Sequence, residues 1–247
     1  LDWTADVYRA AGRLLENVET IAGAVEKFGY CPLFSSNEDA IQTLMVAIEK
    51  AGFTPGQDIA ISLEIAASNF YKDGRYLIDK DNRELDSDEM CAMLIDWAER
   101  YPICSIEGPL AEDDLDAMVR FTWATRNKIQ VVGDNLLRKN VSKIEEAATK
   151  KVCNTVLVEP SQAGTLSETY QAFKAAQSAK MNCIASARSG EFEDTSIVHL
   201  AIGWGIPQIK VSAFSGLEGM SKLNEGLRIA HELENGALPP RSEFPWR

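Results

Sequence analysis

The sequence predicts an α/β fold built on a parallel sheet, of the (β/α) barrel type. Its 247 residues are 45% hydrophobic and 25% charged, which is the composition of a globular protein. Segments of strand character alternate with longer amphipathic segments, and this alternation indicates parallel strands joined by crossover connections. The strand segments are continuous apolar runs, as expected when helices cover both faces of a sheet.

The predicted elements follow from these patterns in chain order. Two helices, 4–27 and 38–51, come first and are joined by a turn that contains Gly29 and Pro32. Six strands are predicted at 58–66, 103–107, 129–134, 155–159, 182–186 and 208–212. The helices between and after them are predicted at 90–99, 113–126, 142–150, 167–179, 195–203 and 220–234.

Six strands are about two short of a complete (β/α) barrel, which has eight strands in ~250 residues. A nucleotide-binding sheet is the other parallel fold, but no G-x-G-x-x-G or Walker motif supports it. We therefore predict an incomplete barrel. The predicted parts are a helical hairpin at 1–55, β/α repeats at 56–236 and a C-terminal tail at 237–247.

Charge and hydrophobicity exclude two classes of partner. Lys and Arg number 25 against 37 Asp and Glu, so the net charge is −12. This charge repels phosphate backbones, and we find no basic patch, so we expect no nucleic acid as a partner. No apolar run reaches the ~18 residues of a membrane span, so we expect no membrane. The first residue is Leu1 rather than Met, and we expect a fragment or a processed chain.

The cysteines argue against a zinc or redox site. There are five, and no C-x-x-C pair occurs among them. We expect them to be free thiols in a reducing compartment, which places the protein in the cytoplasm.

Charged residues stand at the ends of the six predicted strands, where a parallel barrel collects its chemistry. Four are acids and two are bases: Glu64, Glu107, Asp134, Glu159, Arg188 and Lys210. Three carboxylates on one face would form a site for Mg²⁺, which prefers oxygen ligands. The alternative is that each acid caps the following helix or faces solvent, and the pattern alone leaves both open.

Several short motifs carry a resemblance to a known family. Three of them are SIEGP at 105–109, VGDNL at 132–136 and SARSGEFED at 186–194, which resemble SIEDP, VGDDL and SHRSGETED. Others are ASNFYKDG at 67–74, QIK at 208–210 and the closing segments at 223–224 and 227–229. They run colinearly from about Tyr8 to Glu234 and resemble the motifs of enolases, the glycolytic phosphopyruvate hydratases.

The resemblance implies a modified (β/α)8 barrel behind a small N-terminal α+β domain. Members bind two Mg²⁺ ions and dehydrate 2-phosphoglycerate to phosphoenolpyruvate. The N-terminal domain and the first two barrel strands have no counterpart in these residues. We therefore expect a protein partner, or the segment that supplies these parts.

The resemblance also assigns the retained site residues. Glu64, Glu107 and Asp134 match the metal ligands, although the family usually has Asp where Glu64 stands. The longer Glu64 side chain predicts that Mg²⁺ binds weakly or not at all, because Mg²⁺ demands near-ideal octahedral geometry. Substrate-binding remnants are Arg188 and Ser189, at the positions for phosphate and second metal, and Lys210, at the position for the carboxylate.

None of the family's catalytic residues is intact. Glu159 stands at the position of the general-base lysine, and Ala187 stands at the position of the histidine in SHRSG. Lys27 aligns with the general-acid glutamate of the family's EGGVAP loop, and Arg13 aligns with the helix glutamate of its GSEVY motif. Each lost acid–base group costs ~10²–10⁴-fold in rate. The Glu159 carboxylate would also repel the anionic substrate, since like charges ~4 Å apart repel by about 4 kcal/mol at an effective dielectric of 20.

Other candidate residues have simpler interpretations. Glu159 would form an ion pair with Arg188 or Lys210, since buried charges are usually paired. His199 and His231 match no catalytic position, and we expect them at the surface or in packing. We expect Trp97, Trp123 and Trp204 to pack helices against the barrel.

We predict an enolase-like barrel that has lost 2-phosphoglycerate dehydration and acts as a structural or binding component. Divergent enolases of this kind are associated with flagella in some lineages, so cytoskeletal or flagellar association is one expectation from the resemblance. The alternatives are a Mg²⁺-dependent lyase with altered catalytic residues, or a sensor of metal or a phosphorylated metabolite.

Overall fold

The computed structural model describes residues 1–19, 29–126, 128–133, 136–137, 140–188, 190–212, 214, 216–233 and 236. These fall into two compact units. The first comprises Leu1–Ile59 and the described residues from Ala185 onward, and the second is Ala60–Ile184. Asp134, Ser189, Lys27 and the predicted tail at 237–247 lie outside the described residues.

The second unit contains most of a parallel sheet. Its strands are β1 Ile61–Glu64, β5 Ile103–Glu107, β6 Gln130–Gly133, β7 Thr155–Val158 and β8 Asn182–Ser186, whose last two residues belong to the first unit. Register is parallel in the pairs β1–β5, β5–β6 and β6–β7. Every residue of β6 and β7 is buried, which confirms the prediction of strands covered on both faces.

Helices in the second unit follow the strands and begin at recognisable caps. They are α3 Ser87–Arg100, α4 Leu115–Thr125, α5 Val141–Lys150, the four-residue α6 Pro160–Ala163 and α7 Leu166–Ser178. Asp86 caps α3 in a reciprocal box with Glu89, and Thr165 accepts the backbone N–H of Glu168 at the start of α7. These side chains satisfy N–H groups that the first helical turn leaves without partners.

A small antiparallel sheet in the second unit was not predicted. Its strands are β2 Tyr71–Lys72, β3 Arg75–Ile78 and β4 Arg83–Leu85, and they pair in chain order between β1 and α3. The strands are two to four residues long, which is too short for an alternating pattern to show in the sequence.

The first unit combines the earliest helices with the last barrel elements. It contains α1 Asp2–Leu15, α2 Asn37–Lys50, α8 Ser196–Trp204, β9 Ile209–Lys210 and α9 Leu217–Glu232. The end of β8 pairs in parallel with β9, and α1 packs on α2. The full sheet order is β1-β5-β6-β7-β8-β9, so the predicted α/β class with an incomplete parallel barrel is confirmed.

Two predictions about individual elements need correction. The first helix is shorter than predicted, because α1 ends at Leu15, and residues 20–28 lie outside the described part. Trp123 does not pack against the barrel: its side chain is 64% exposed, and the Arg126 guanidinium lies over its ring at 4.2 Å. Trp97 is buried, as predicted. In the part of the chain that the structure describes, no helix has the length and hydrophobicity to span a bilayer.

Candidate functional site

Two of the predicted metal ligands lie side by side at the ends of neighbouring strands. Glu64 ends β1 and Glu107 ends β5, and the two residues are direct partners in the parallel register. Glu107 is 7% exposed, whereas Glu64 is exposed. The strands thus place two carboxylates at the same edge of the sheet, which confirms the strand-end placement predicted from the sequence.

A close approach of two backbones fixes this pair of strand ends. Gly108 follows Glu107 with a φ of +54°, and a Cβ built there would lie 3.3 Å from the Cα of Ala66. The Gly108 carbonyl accepts the backbone N–H of Ala67 at 3.0 Å. Glycine tolerates both the left-handed conformation and the close contact without steric cost.

Three acids, here called the acid set, have side-chain oxygens that suit a hard divalent cation: Glu64, Glu107 and Asp134. Glu64 and Glu107 supply carboxylate oxygens, and Asp134 follows the last residue of β6 in the sequence. The described residues contain no group of three His, Cys, Asp or Glu that could hold a metal ion. Since Asp134 lies outside them, the predicted triad stays a prediction.

Glu159 is a buried carboxylate directly after β7. Its side chain is 3% exposed, and it precedes the short α6. The main-chain carbonyl of Glu159 accepts the N–H groups of Gln162 and Ala163, each at 3.2 Å, but its carboxylate makes no capping hydrogen bond with α6. The capping interpretation of this strand-end acid is therefore excluded. The residue that follows β7 is therefore a buried acid.

The predicted basic residues lie in the first unit. Lys210 is half-buried at the end of β9, where it is the register partner of Ser186. Ala187 is buried just after β8, and its N–H donates to the Lys210 carbonyl at 3.2 Å. Arg188 is exposed, and its backbone N–H donates to the Glu191 carboxylate at 2.7 Å.

Lys222 is a functional candidate that the sequence analysis missed. It lies on α9 and is 2% exposed, and its ammonium group donates to the carbonyls of Phe192 and Glu218 at 2.9 and 3.1 Å. Its nitrogen also lies 3.6 Å from the Glu191 carboxylate. Its helical position could have revealed it, because Lys222 lies on the same inward face of α9 as the buried Gly219 and Ile229.

The remaining candidates are one arginine, two histidines and the cysteines. Arg13 is exposed on α1, and His231 is exposed on α9. His199 is half-exposed and lies 2.7 Å from the Glu225 carboxylate. All five cysteines are free, and burial raises the pKa of the Cys153 and Cys183 thiols to about 12. Such thiols are protonated at neutral pH and are poor nucleophiles.

The comparison with protein families covers both units. Residues 1–240 match the family model described as the enolase C-terminal TIM barrel domain. The match includes every strand of the parallel sheet and every candidate site residue discussed above.

Proposed function

Because this chain belongs to the enolase family, we propose that its barrel has lost 2-phosphoglycerate dehydration and serves as a binding component. The proposed ligands are a divalent cation at the acid set and an anion at the loop that carries Arg188.

The buried Glu159 carboxylate is the observation that carries the proposal. Removing a proton next to a substrate carboxylate requires a positioned base, and the position after β7 is where the family has its lysine. A carboxylate there adds negative charge to a barrel that would have to bind a substrate with both a phosphate and a carboxylate group. Burial strengthens this repulsion, because the interior screens charge less than water does.

The loss of a second group supports the same conclusion. Ala187 is buried where the family has histidine, and a methyl group cannot transfer protons. Each missing acid–base group lowers the rate by ~10²–10⁴-fold, so two losses remove efficient turnover. Four other strand-end residues keep the sign of charge that the resemblance assigns to their positions: Glu64, Glu107, Arg188 and Lys210.

Glu64 and Glu107, with Asp134, would hold Mg²⁺. When bound, the ion would neutralise these carboxylates and provide positive charge for an oxygen ligand. Weak binding follows from Glu64, whose side chain is one methylene longer than the aspartate usual in the family. We also propose that the protein acts within a larger protein assembly. A cytoplasmic location is proposed because the five cysteines are free, which supports a reducing compartment.

Calorimetric titration with Mg²⁺ alone tests the binding role. We expect weak binding by the wild type, no binding by Glu107→Gln and tighter binding by Glu64→Asp. Gln keeps the size of the side chain but removes the charge that Mg²⁺ requires. Glu146→Gln is the matched control, because Glu146 is an exposed residue of α5 paired with Lys150.

Two results would contradict the metal-binding part. One is a wild type that gives no binding heat, which would leave a scaffold without a metal. The other is Glu107→Gln with the same affinity as the wild type, which would place the metal elsewhere.

A further inference from the structure

The loop after β8 is held as a tight turn by one of its own side chains. The backbone N–H of Arg188 donates to the Glu191 carboxylate at 2.7 Å, and the Glu191 N–H donates back to the Arg188 carbonyl at 3.2 Å. Gly190 adopts a φ of +83°, a conformation that glycine adopts without steric cost. The backbone orientation of Arg188 therefore depends on where the Glu191 side chain lies.

Lys222 holds this turn from α9. Its ammonium group donates to the Phe192 carbonyl at 2.9 Å and lies 3.6 Å from the Glu191 carboxylate. A third contact, to the Glu218 carbonyl at 3.1 Å, ties the lysine to its own helix. The Phe192 side chain is exposed, so apolar packing of this residue does not hold the loop.

The burial of Lys222 indicates a specific role. Its side chain is 1% exposed, and lysine is almost never buried to this degree unless it is paired. Moving an ammonium group out of water costs free energy that only well-placed acceptors offset. All its acceptors given above are either in the loop or on the preceding turn of α9, so the charge connects these two segments.

We propose that Lys222 is the positioning residue of the loop that presents Arg188 to an anionic ligand. It fixes the Phe192 backbone directly and fixes the Arg188 backbone through the Glu191 carboxylate. It also neutralises Glu191, whose charge would otherwise repel an anion bound three residues away along the chain. The part of this inference that concerns the ligand rests on the proposed binding function, whereas the part that concerns the loop does not.

Hydrogen exchange at the Arg188 amide tests the positioning role without any ligand. Lys222→Met keeps the length of the side chain and removes its charge. We expect the Arg188 amide to exchange at least about tenfold faster in this variant, because local opening of the turn becomes easier. Lys150→Met is the control, since Lys150 is an exposed lysine in an ion pair with Glu146 on α5. An unchanged Arg188 exchange rate in Lys222→Met would overturn the inference.

A second variant keeps the inference testable if Lys222→Met does not fold. Glu191→Gln retains an acceptor for the Arg188 N–H but loses the attraction to Lys222. We expect it to raise Arg188 exchange by a smaller factor. The two substitutions should also be non-additive when combined, because both act through one network. Additive effects would show that the two residues act independently and would contradict the proposed chain of contacts.

Titration with inorganic phosphate tests the ligand part. We expect Lys222→Met to weaken phosphate binding about tenfold, which is the effect of misplacing one charged contact. If the wild type binds no phosphate, the proposed anion-binding role fails, and the exchange experiment still decides whether Lys222 positions the loop. If phosphate affinity is unchanged while Arg188 exchange rises, Lys222 holds the loop for stability alone, and the ligand part is wrong.

Discussion

At the residue level, the proposed function depends on a few side chains at the strand ends. In the proposed function, Glu159 and Ala187 stand in place of the family's proton-transferring groups, whereas Glu64, Glu107, Arg188 and Lys210 supply charges suited to binding. Glu159 and Glu107 are buried, whereas Glu64 is exposed. These residues therefore differ in how strongly their charges act on a ligand.

The carboxylate of Glu225 gives a pH-dependent contribution to stability. Hydrogen bonds from Arg228, together with His199 at 2.7 Å, lower the pKa of Glu225 to about 2. A carboxylate whose pKa is lower in the folded state stabilises the protein above its unfolded pKa, about 4.3 for Glu. This contribution is lost as the pH falls from about 4.3 towards 2.

Urea unfolding of the wild type and Glu225→Gln from pH 6 to pH 2.5 measures this effect. The wild type should be the more stable protein at pH 6, and the difference should shrink as the pH falls. A difference that is constant over this range would show that Glu225 contributes through packing rather than through its charge.

Gly108 is the residue whose conformation matters most for the acid pair. Gly108→Ala should destabilise the protein by about 1–2 kcal/mol, because a side chain disfavours the left-handed region. Gly203→Ala, in α8, is the control: apart from its chain neighbours and the backbone of its own helix, no described atom lies within 4 Å of its added Cβ. Ala in place of Gly should stabilise a helix by about 0.5–1 kcal/mol. Chemical denaturation measures both, and equal effects of the same sign would contradict the conformational argument.

At the element level, the repeating strands and helices were predictable, and the small sheet was not. Runs such as Ile103–Glu107 and Asn182–Ser186 are found at the predicted bounds, because burial on both faces requires an apolar sequence. The strands β2, β3 and β4 are short, and tertiary contacts rather than a sequence pattern define them. The inward-facing Lys222 was missed for a related reason, since a lysine on a helix is ordinarily exposed.

Tyr76 anchors the small sheet to the loop after β5. Its ring is fully buried, and its hydroxyl donates to Asp114 at 2.8 Å and accepts the Ala111 N–H at 3.1 Å. Burial, reinforced by Asp114, raises the pKa of Tyr76 well above its ordinary value. Tyr76→Phe should therefore cost about 1–3 kcal/mol, because it leaves buried polar groups without this partner.

The free energy of unfolding in urea tests this link. Tyr71→Phe is the matched control, since the Tyr71 ring packs against Tyr76 with 4.6 Å between centroids and keeps that contact without its hydroxyl. We expect the control to lie within about 0.5 kcal/mol of the wild type. A Tyr76→Phe variant as stable as the control would show that the hydroxyl contacts add nothing.

At the level of the whole molecule, the colinear motifs predicted the family, and the family match over residues 1–240 confirms it. Composition and charge could not do this, because many soluble acidic proteins share a net charge of −12. The division into two compact units was not predictable, since the boundary lies within β8, between Ile184 and Ala185. The acid set lies in the second unit, and the Arg188 loop with Lys222 lies in the first.

The proposed loss of dehydration is tested directly by a coupled assay for phosphoenolpyruvate formation from 2-phosphoglycerate with Mg²⁺, on the wild-type chain. We predict no enzymatic turnover by the wild type, because its buried strand-end carboxylate and alanine replace the proton-transferring groups. Turnover by the wild type at ordinary enzyme rates, about 1–10³ s⁻¹, would contradict the account and make Glu159 a base rather than a barrier.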